Sequence, residues 1–584
     1  MNRRQRAIFW IVALLCASTR FLAKARTLWE WDEILFCLGM RDFDIALHHP
    51  HPPGFPIFIG LAKLVRLVAD SDFHALQTIN LVAAALAFPV VYLFARQVGL
   101  RFSWAVVAGA LFAFFPNVWL FGGTAFSDVP SIVLVTFAAT LLLRAANGTN
   151  ATDGTHGSRR NYFLGTLLLA LAMGIRPQNL LVGLVPGILA TRKRRWWEIL
   201  VALLIGVVVL SVAFGAAIQA TGGFERYLDS VRAHGDYIST YDSFRSPVRP
   251  ALWRLFDRFF IKNYQSIPLS FLTSIFVIVS IVGTVRERYR PMLVNILTFA
   301  PFALFAWLML DRYSISRFSI GYAPMFALLA ADGLRRVTRD RPLYSAALVA
   351  AFALWTAPAL TPVRRDIAPP LLAIEKLQQV RPAQLYVAHT MWPFVEYLAP
   401  GADFVRVLDD RAMPISDAAD PWLLAELNRG EATGHVFRRE RGRLWKIARR
   451  HYFDVVLRPM TRRAQFLAGW YPAEGGGIDE WRWMGARSVT VLPGATGEQM
   501  LRLQLTMPVE LVPRNATVTV TLNGRVLERV TMTGNALTRD FDDLVPAPDG
   551  APNTLVLTID QTFHAPDDGR ELGLSLRMLG WGRS

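Results

Sequence analysis

The sequence predicts a polytopic α-helical membrane bundle followed by a soluble, strand-bearing C-terminal part, and three observations predict it. Hydrophobic residues fill 53% of the 584 positions and charged ones only 18%, where soluble proteins carry about 25% charged residues. The apolar residues collect in long runs confined to residues 1–360. Beyond residue 361 the pattern changes to short alternating segments. An ordinary cytosolic enzyme and a disordered chain are excluded. The 62 Lys and Arg against 45 Asp and Glu give a net charge of +17. That excess sits in short clusters between apolar runs, not on a domain-sized basic face, so nucleic acid is not an expected partner.

A bilayer crossing takes about 20 apolar residues, fewer where a helix end is buried in protein. Eleven runs qualify, near residues 8–23, 74–95, 104–121, 128–143, 162–175, 178–191, 197–219, 267–285, 292–310, 318–334 and 343–360. Basic clusters accumulate on the cytoplasmic side of short loops. Here they are Arg3, Arg4 and Arg6; Arg96 and Arg101; Arg144, Arg159 and Arg160; Arg192–Arg195; Arg286, Arg288 and Arg290; and Arg335, Arg336, Arg339 and Arg341. With eleven spans all of them fall on one side. Joining the fifth and sixth runs through Pro177 would split them. The N-terminus is therefore expected in the cytoplasm and residues 361–584 outside, in a multi-pass protein of the plasma (inner) membrane. No small-residue cleavage site follows the first run, which reads as a retained helix. Cys16 lies inside that run, which speaks against a structural bridge to Cys37.

Residues 361–460 carry short apolar strands at Leu385–Ala388, Phe404–Val407 and Phe453–Leu457 between helical stretches, as in a small α/β layer. Residues 461–584 alternate with period two, at Ser488–Leu492, Leu501–Leu505 and Ala516–Leu522, and read as an antiparallel β-sandwich. Asn523-Gly524 after the last of these is a hairpin signal. Residues 147–158 read as a flexible cytoplasmic linker.

The outer loops carry the chemistry. Asp32 and Glu33 open the first one, at a membrane boundary where carboxylates are costly to desolvate. They are either a solvated loop start or a base beside a second carboxylate that orients an acceptor. His48-His49-Pro50-His51-Pro52-Pro53-Gly54 then forms a stiff turn. Its imidazoles suit an anion or carboxylate, a plain turn, or a divalent metal, although no helical metal spacing is present. Ile57–Val68 reads as a helix along the interface. Asp128, opening the fourth run, is an N-terminal capping partner or a second carboxylate of a site. Arg176 sits between two short runs, so its turn should lie inside the bundle, where a guanidinium needs an anion: a phosphate or a protein carboxylate. Arg312 and Arg317 stand on the outer side, against the positive-inside bias. They bind phosphate or snorkel at the surface. Together Asp32, His51, Asp128, Arg176, Arg312 and Arg317 fall on one membrane face, as a site for a lipid phosphate requires.

Trp31-Asp32-Glu33 followed by His51-Pro52-Pro53-Gly54 resembles the GT-C superfamily of membrane glycosyltransferases, in particular the protein O-mannosyltransferases and their bacterial relatives. The resemblance covers about residues 1–360. It implies a polyprenyl-phosphate-linked monosaccharide as donor, inversion at the sugar C1, and transfer to an acceptor hydroxyl of a protein, glycan or lipid. It matches Asp32 to the general base, Glu33 to acceptor orientation, His51 to a loop histidine at the reaction centre and, loosely, Asp128 to a second acid. Arg176, Arg312 and Arg317 are then the phosphate ligands, with no required cofactor and a divalent metal optional. The β-trefoil insertion of eukaryotic relatives is absent; an outer domain follows at the C-terminus instead. Gly469–Glu474, Trp481–Trp483 and Asp567–Gly573 resemble a β-sandwich of bacterial surface-glycan enzymes, its aromatics either stacking on sugars or forming its core. A lipid-linked glycan transporter or flippase, or a non-catalytic glycan-binding scaffold, are the alternatives. The transporter would need polar residues along a path at mid-bilayer depth.

Overall fold

The computed structural model describes residues 1–147, 155–192, 194–241, 243–245, 251, 253, 264, 266–309, 315–382, 384–407, 421–426, 434–438, 454–459, 464–474, 481–492, 494, 499–512, 515–548, 551–565 and 568–582. Arg312 and most of the 147–158 linker lie outside them. The chain divides into two compact units, the first holding residues 1–368 and the second most of 369–584.

The first unit is helical throughout. A helix occupies all or part of each of the eleven predicted runs: α1 (Arg3–Thr19), α4 (Asp72–Val98), α5 (Phe102–Phe114) with α6 (Pro116–Phe121), α7 (Asp128–Asn147), α8 (Thr155–Ile175), α9 (Leu180–Thr191), α10 (Trp196–Ala220), α12 (Ile267–Glu287), α13 (Arg290–Met309), α15 (Ala323–Val337) and α16 (Leu343–Arg365). Among the described residues seven helices are long and apolar enough to cross a membrane by length and composition alone. On α10, Leu203, Leu204, Val207 and Val212 are exposed, a surface that only lipid would stabilise. The protein is a multi-pass membrane protein. The split at Pro177 is real, because α8 and α9 are separate helices joined by a turn at Arg176–Asn179.

The stretch between α1 and α4 is more helical than expected. Besides α3 (Pro56–Arg66), it contains α2 (Trp31–Arg41), so Asp32 and Glu33 begin a helix and not a loop. A further amphipathic helix, α11 (Phe224–Tyr241), follows α10. Arg226 on it pairs with Asp44 at 2.5 Å, and the Tyr227 hydroxyl donates to the Pro53 carbonyl at 2.9 Å. These bonds fix α11 onto the His-Pro turn.

The second unit contains two sheets. The first has the order β2 (Val405–Val407), β1 (Gln384–Ala388), β3 (Pro421–Glu426), β5 (Asp454–Pro459), β4 (His435–Arg438), parallel around β1 and antiparallel beyond β3. Two of its strands, β3 and β4, were not anticipated. The second sheet has eight antiparallel strands. Its centre is β7 (Trp481–Leu492), which pairs with β6 (Gln465–Glu474), with β12 (Asn553–Ile559) along one half and with β13 (Ser575–Gly582) at the other. Leu503 and Leu505 of β8 (Gln499–Thr506) share one buried cluster with Leu555 and Leu557 of β12. These side chains belong to the buried core of a strand-rich C-terminal domain. The predicted hairpin joins β9 (Thr517–Leu522) to β10 (Arg525–Thr531), with Asn523 at φ 50° and Gly524 at φ 81°. Trp470 Nε1 donates to Thr490 and the Tyr471 hydroxyl to the Glu571 carbonyl, so both serve the packing of the sheet.

Candidate active site

The site assembles where α2, α7, the α8–α9 turn and the segment before α15 meet. The turn at residues 122–127 anchors it. Gln77 Nε2 donates to the Ala25 carbonyl at 2.8 Å and to the Gly123 carbonyl at 2.9 Å, and the Ala25 amide donates to Gly123 at 2.9 Å. A Cβ on Gly123 would lie 1.8 Å from the Ala23 carbonyl oxygen, so only glycine lets the two segments meet. The His-Pro turn packs on α2 by the same device: a Cβ on Gly39 would lie 2.5 Å from Pro50 Cδ.

Glu33 is fully buried and both its oxygens are taken. One accepts from the Trp29 and Glu30 amides at 2.8 and 3.0 Å, the other from the Ala125 amide at 2.8 Å. It ties the start of α2 to the 122–127 turn and is fully buried, so it frames the site where the sequence suggested acceptor orientation. Burial pushes its carboxyl up to about 7 despite the three amides.

Asp32, the residue just before it, points elsewhere. Its Oδ2 lies 2.5 Å from Arg317 Nη2, and Arg317 Nε lies 3.6 Å from Asp128 Oδ2. Asp128 Oδ2 in turn accepts from Arg176 Nη2 at 2.8 Å, while Arg176 Nε donates to Ser127 Oγ at 2.9 Å. The result is an alternating chain of charge: Asp32, Arg317, Asp128, Arg176. Arg176 is 5% exposed and Arg317 7%. Aromatic rings complete their surroundings, with Phe126 4.4 Å below Arg317, and Phe55 and Phe318 at 5.5 and 5.6 Å from Arg176. Asn179, bonded to Ser131 and to the Ala172 carbonyl, holds the Arg176 turn against α7. Arg176 thus lies inside the bundle as its short flanking runs implied. The anion it meets is a protein carboxylate, and Asp128 serves as an ion-pair centre at the head of α7.

His51 lies close enough to Asp32 to feel its charge. Its ring packs on Phe55 at 4.8 Å and Phe36 at 5.8 Å, and its Nδ1 is buried with no hydrogen-bond partner among the described residues. Burial lowers it to about 3; Asp32 opposes this, while His234, Arg317 and Arg176 reinforce it. The imidazole is neutral at physiological pH. His234, which sequence reasoning missed, comes from α11, with its ring 6.0 Å from His51 and 6.2 Å from His48. Burial lowers its pKa too, as does His48, against the pull of Asp32. The signal for it was the amphipathic pattern of residues 224–241 next to the outer face. Among the described residues no three His, Cys, Asp or Glu converge as metal ligands, and the two carboxylates present are already matched by arginines.

No family model matches the chain, and no curated protein matches it. Solved structures that are similar to it include ArnT from Cupriavidus metallidurans bound to undecaprenyl phosphate, with 13% identity and a TM-score of 0.45 over 70% of this chain and 87% of that one. The Archaeoglobus fulgidus oligosaccharyltransferase in complex with Zn and sulfate has 15% identity and a TM-score of 0.44 over 67% of this chain, which spans 61% of that protein. The mycobacterial arabinofuranosyltransferase AftD has 11% identity and a TM-score of 0.42 over 100% of this chain and 62% of that one.

Proposed function

We propose that the chain is an inverting membrane glycosyltransferase that moves a monosaccharide from a polyprenyl-phosphate carrier to an acceptor hydroxyl. The observation that carries the reading is the buried chain Asp32–Arg317–Asp128–Arg176 at the ends of separate helices. It supports the reading by bringing the carboxylate of Asp32 and the two guanidiniums together where separate helices end. In this reading the site opens on the extracytoplasmic face of the plasma membrane. The N-terminus is cytoplasmic and the C-terminal unit extracytoplasmic, in keeping with the basic clusters at the opposite helix ends.

The donor phosphate binds Arg317 and Arg176, with Arg312 as a further candidate ligand. Arg317 turns from Asp32 to the phosphate, and Asp32 regains a free lone pair. The acceptor oxygen attacks C1 as the C1–O bond to the phosphate breaks, and the electron pair leaves with the polyprenyl phosphate. Asp32 takes the acceptor proton, and its charge helps to stabilise the oxocarbenium-like transition state. Asp128 keeps both guanidiniums oriented. His51, neutral and beside Asp32, offers a ring nitrogen to the acceptor hydroxyl, and Glu33 holds the frame. No step requires a metal.

The test is turnover of a labelled polyprenyl-phosphate hexose or pentose by the purified chain. Asp32→Asn is expected to keep donor binding and lose about 10²–10⁴-fold in rate. Near-wild-type turnover would transfer the role of base to Asp128.

A further inference from the structure

At the helix ends opposite Asp32 lies a cavity of about 220 Å³, lined by Leu100, Arg101, Trp104, Tyr289, Asp332 and Arg335 among others. It is formed by the start of α5, the α12–α13 connection and the end of α15. Its acids are already satisfied. Asp332 accepts from Arg335 Nε and Nη2 at 2.9 and 2.8 Å, from Arg336 Nε at 2.8 Å and from the Ser280 hydroxyl at 2.8 Å. Asp340, just outside, takes Arg101 Nη1 at 2.5 Å and the indole N–H of Trp104.

The lining cations Arg101 and Arg335 are held by these acids, and the surplus of positive charge comes from arginines around the cavity. Arg336 Nη2 is buried with no acceptor among the described residues. The Tyr289 ring has Arg335 and Arg336 each 5.4 Å from its centroid. Arg288 and Arg290 flank Tyr289 in the chain, and Arg339 and Arg341 flank Asp340. None of these four has an ion-pair partner among the described residues. The cavity therefore sits among more basic than acidic side chains, and its own Arg101 and Arg335 would have to share their carboxylate partners with an incoming anion.

We infer that this cavity binds the phosphate headgroup of an anionic phospholipid. It is smaller than the roughly 300 Å³ from which drug-sized ligand pockets start, and suits a headgroup. Tyr289 at its wall is a residue type that anchors at the headgroup level, and basic pockets between helix ends are where anionic headgroups bind. Val285, Val337 and Leu343, close in sequence to the lining residues Tyr289 and Arg335, are exposed apolar side chains that offer the acyl chains a surface. Arginine supplies the planar fork that phosphate oxygens fit.

The test uses the full chain in nanodiscs and in detergent, with phosphatidylglycerol, phosphatidylcholine and inorganic phosphate as separate probes. Native mass spectrometry is expected to show a retained phosphatidylglycerol, and Arg101→Gln to weaken its retention about tenfold, the effect of losing a charge-assisted hydrogen bond. Arg101 projects from the protein with its side chain 79% exposed, so this variant leaves the fold intact; Arg335→Gln should add to the loss. Equal retention of phosphatidylcholine, or unchanged phosphatidylglycerol retention in Arg101→Gln, would overturn the inference. So would stabilisation by inorganic phosphate alone at millimolar concentration, which would make the ligand a soluble phosphate.

Discussion

Glu33 and His51 make the pH dependence of stability a direct probe of the site. Burial raises the Glu33 carboxyl from its ordinary 4.5 to about 7 and lowers the His51 imidazole from 6.5 to about 3. Between pH 4.5 and 6.5 the folded chain keeps a proton on Glu33 that the unfolded chain has released. Over the same interval it lacks a proton on His51 that the unfolded chain has gained. Each group alone changes stability by about 1.4 kcal/mol per pH unit, or about 2.7 kcal/mol over the interval. Glu33 weakens the fold as pH rises and His51 weakens it as pH falls, so the two cancel in the wild type. Single variants uncover them. Relative to the wild type, Glu33→Gln should lose about 2.7 kcal/mol as pH falls from 6.5 to 4.5, and His51→Asn should gain about as much. The glutamine also loses one or two amide hydrogen bonds, a constant offset of about 1–3 kcal/mol that leaves the slope untouched. Denaturant unfolding in micelles, followed by tryptophan fluorescence at four pH values, measures both profiles. Flat difference profiles, or two slopes of the same sign, would refute the burial of these groups as described.

Further outcomes follow from the charge chain and its frame. Arg176→Ala leaves Asp128 without its 2.8 Å partner and should destabilise the fold by about 3–5 kcal/mol, as breaking a buried pair does. Arg176→Lys should restore charge but not the Ser127 bond, and donor affinity measured beside a thermal-shift control separates phosphate binding from a purely structural role. Gly123→Ala drives a methyl into the Ala23 carbonyl, so it should cost about 1–3 kcal/mol or more and lower turnover by shifting Asp128; unfolding curves and rates together check this.

The sequence made the bundle legible because hydrophobic runs and basic clusters are local signals. The depth of Arg176 followed from the brevity of the runs around it. Its partner did not, since Asp128 lies 48 positions away and Arg317 finds Asp32 across 285; no periodicity encodes such pairings. Helix α2 was hidden because its acidic first turn looks like a loop start, when acids at a helix N-terminus are in fact favourable. Glu33 was misjudged for a related reason: adjacency to Asp32 suggested a shared task, but successive helical residues point about 100° apart. His234 was overlooked because α11 is too polar to register as a membrane element. Strands β3 and β4 are short and flanked by polar sequence, so only their ladder with β5 identifies them.

The equal number of carboxylates and guanidiniums in the Asp32–Arg176 chain has a consequence for how a substrate arrives. A site with two negative and two positive charges set within a few ångströms of one another projects almost no net field beyond the Debye length of about 10 Å at 0.1 M salt. Long-range attraction will not guide an anion to it, and association should be nearly indifferent to ionic strength. Capture then depends on short-range partner exchange, in which an incoming anion takes over a guanidinium already shaped to receive one. A lipid-borne substrate, confined to two dimensions and delivered by lateral diffusion, is the kind that such a field-free entrance favours.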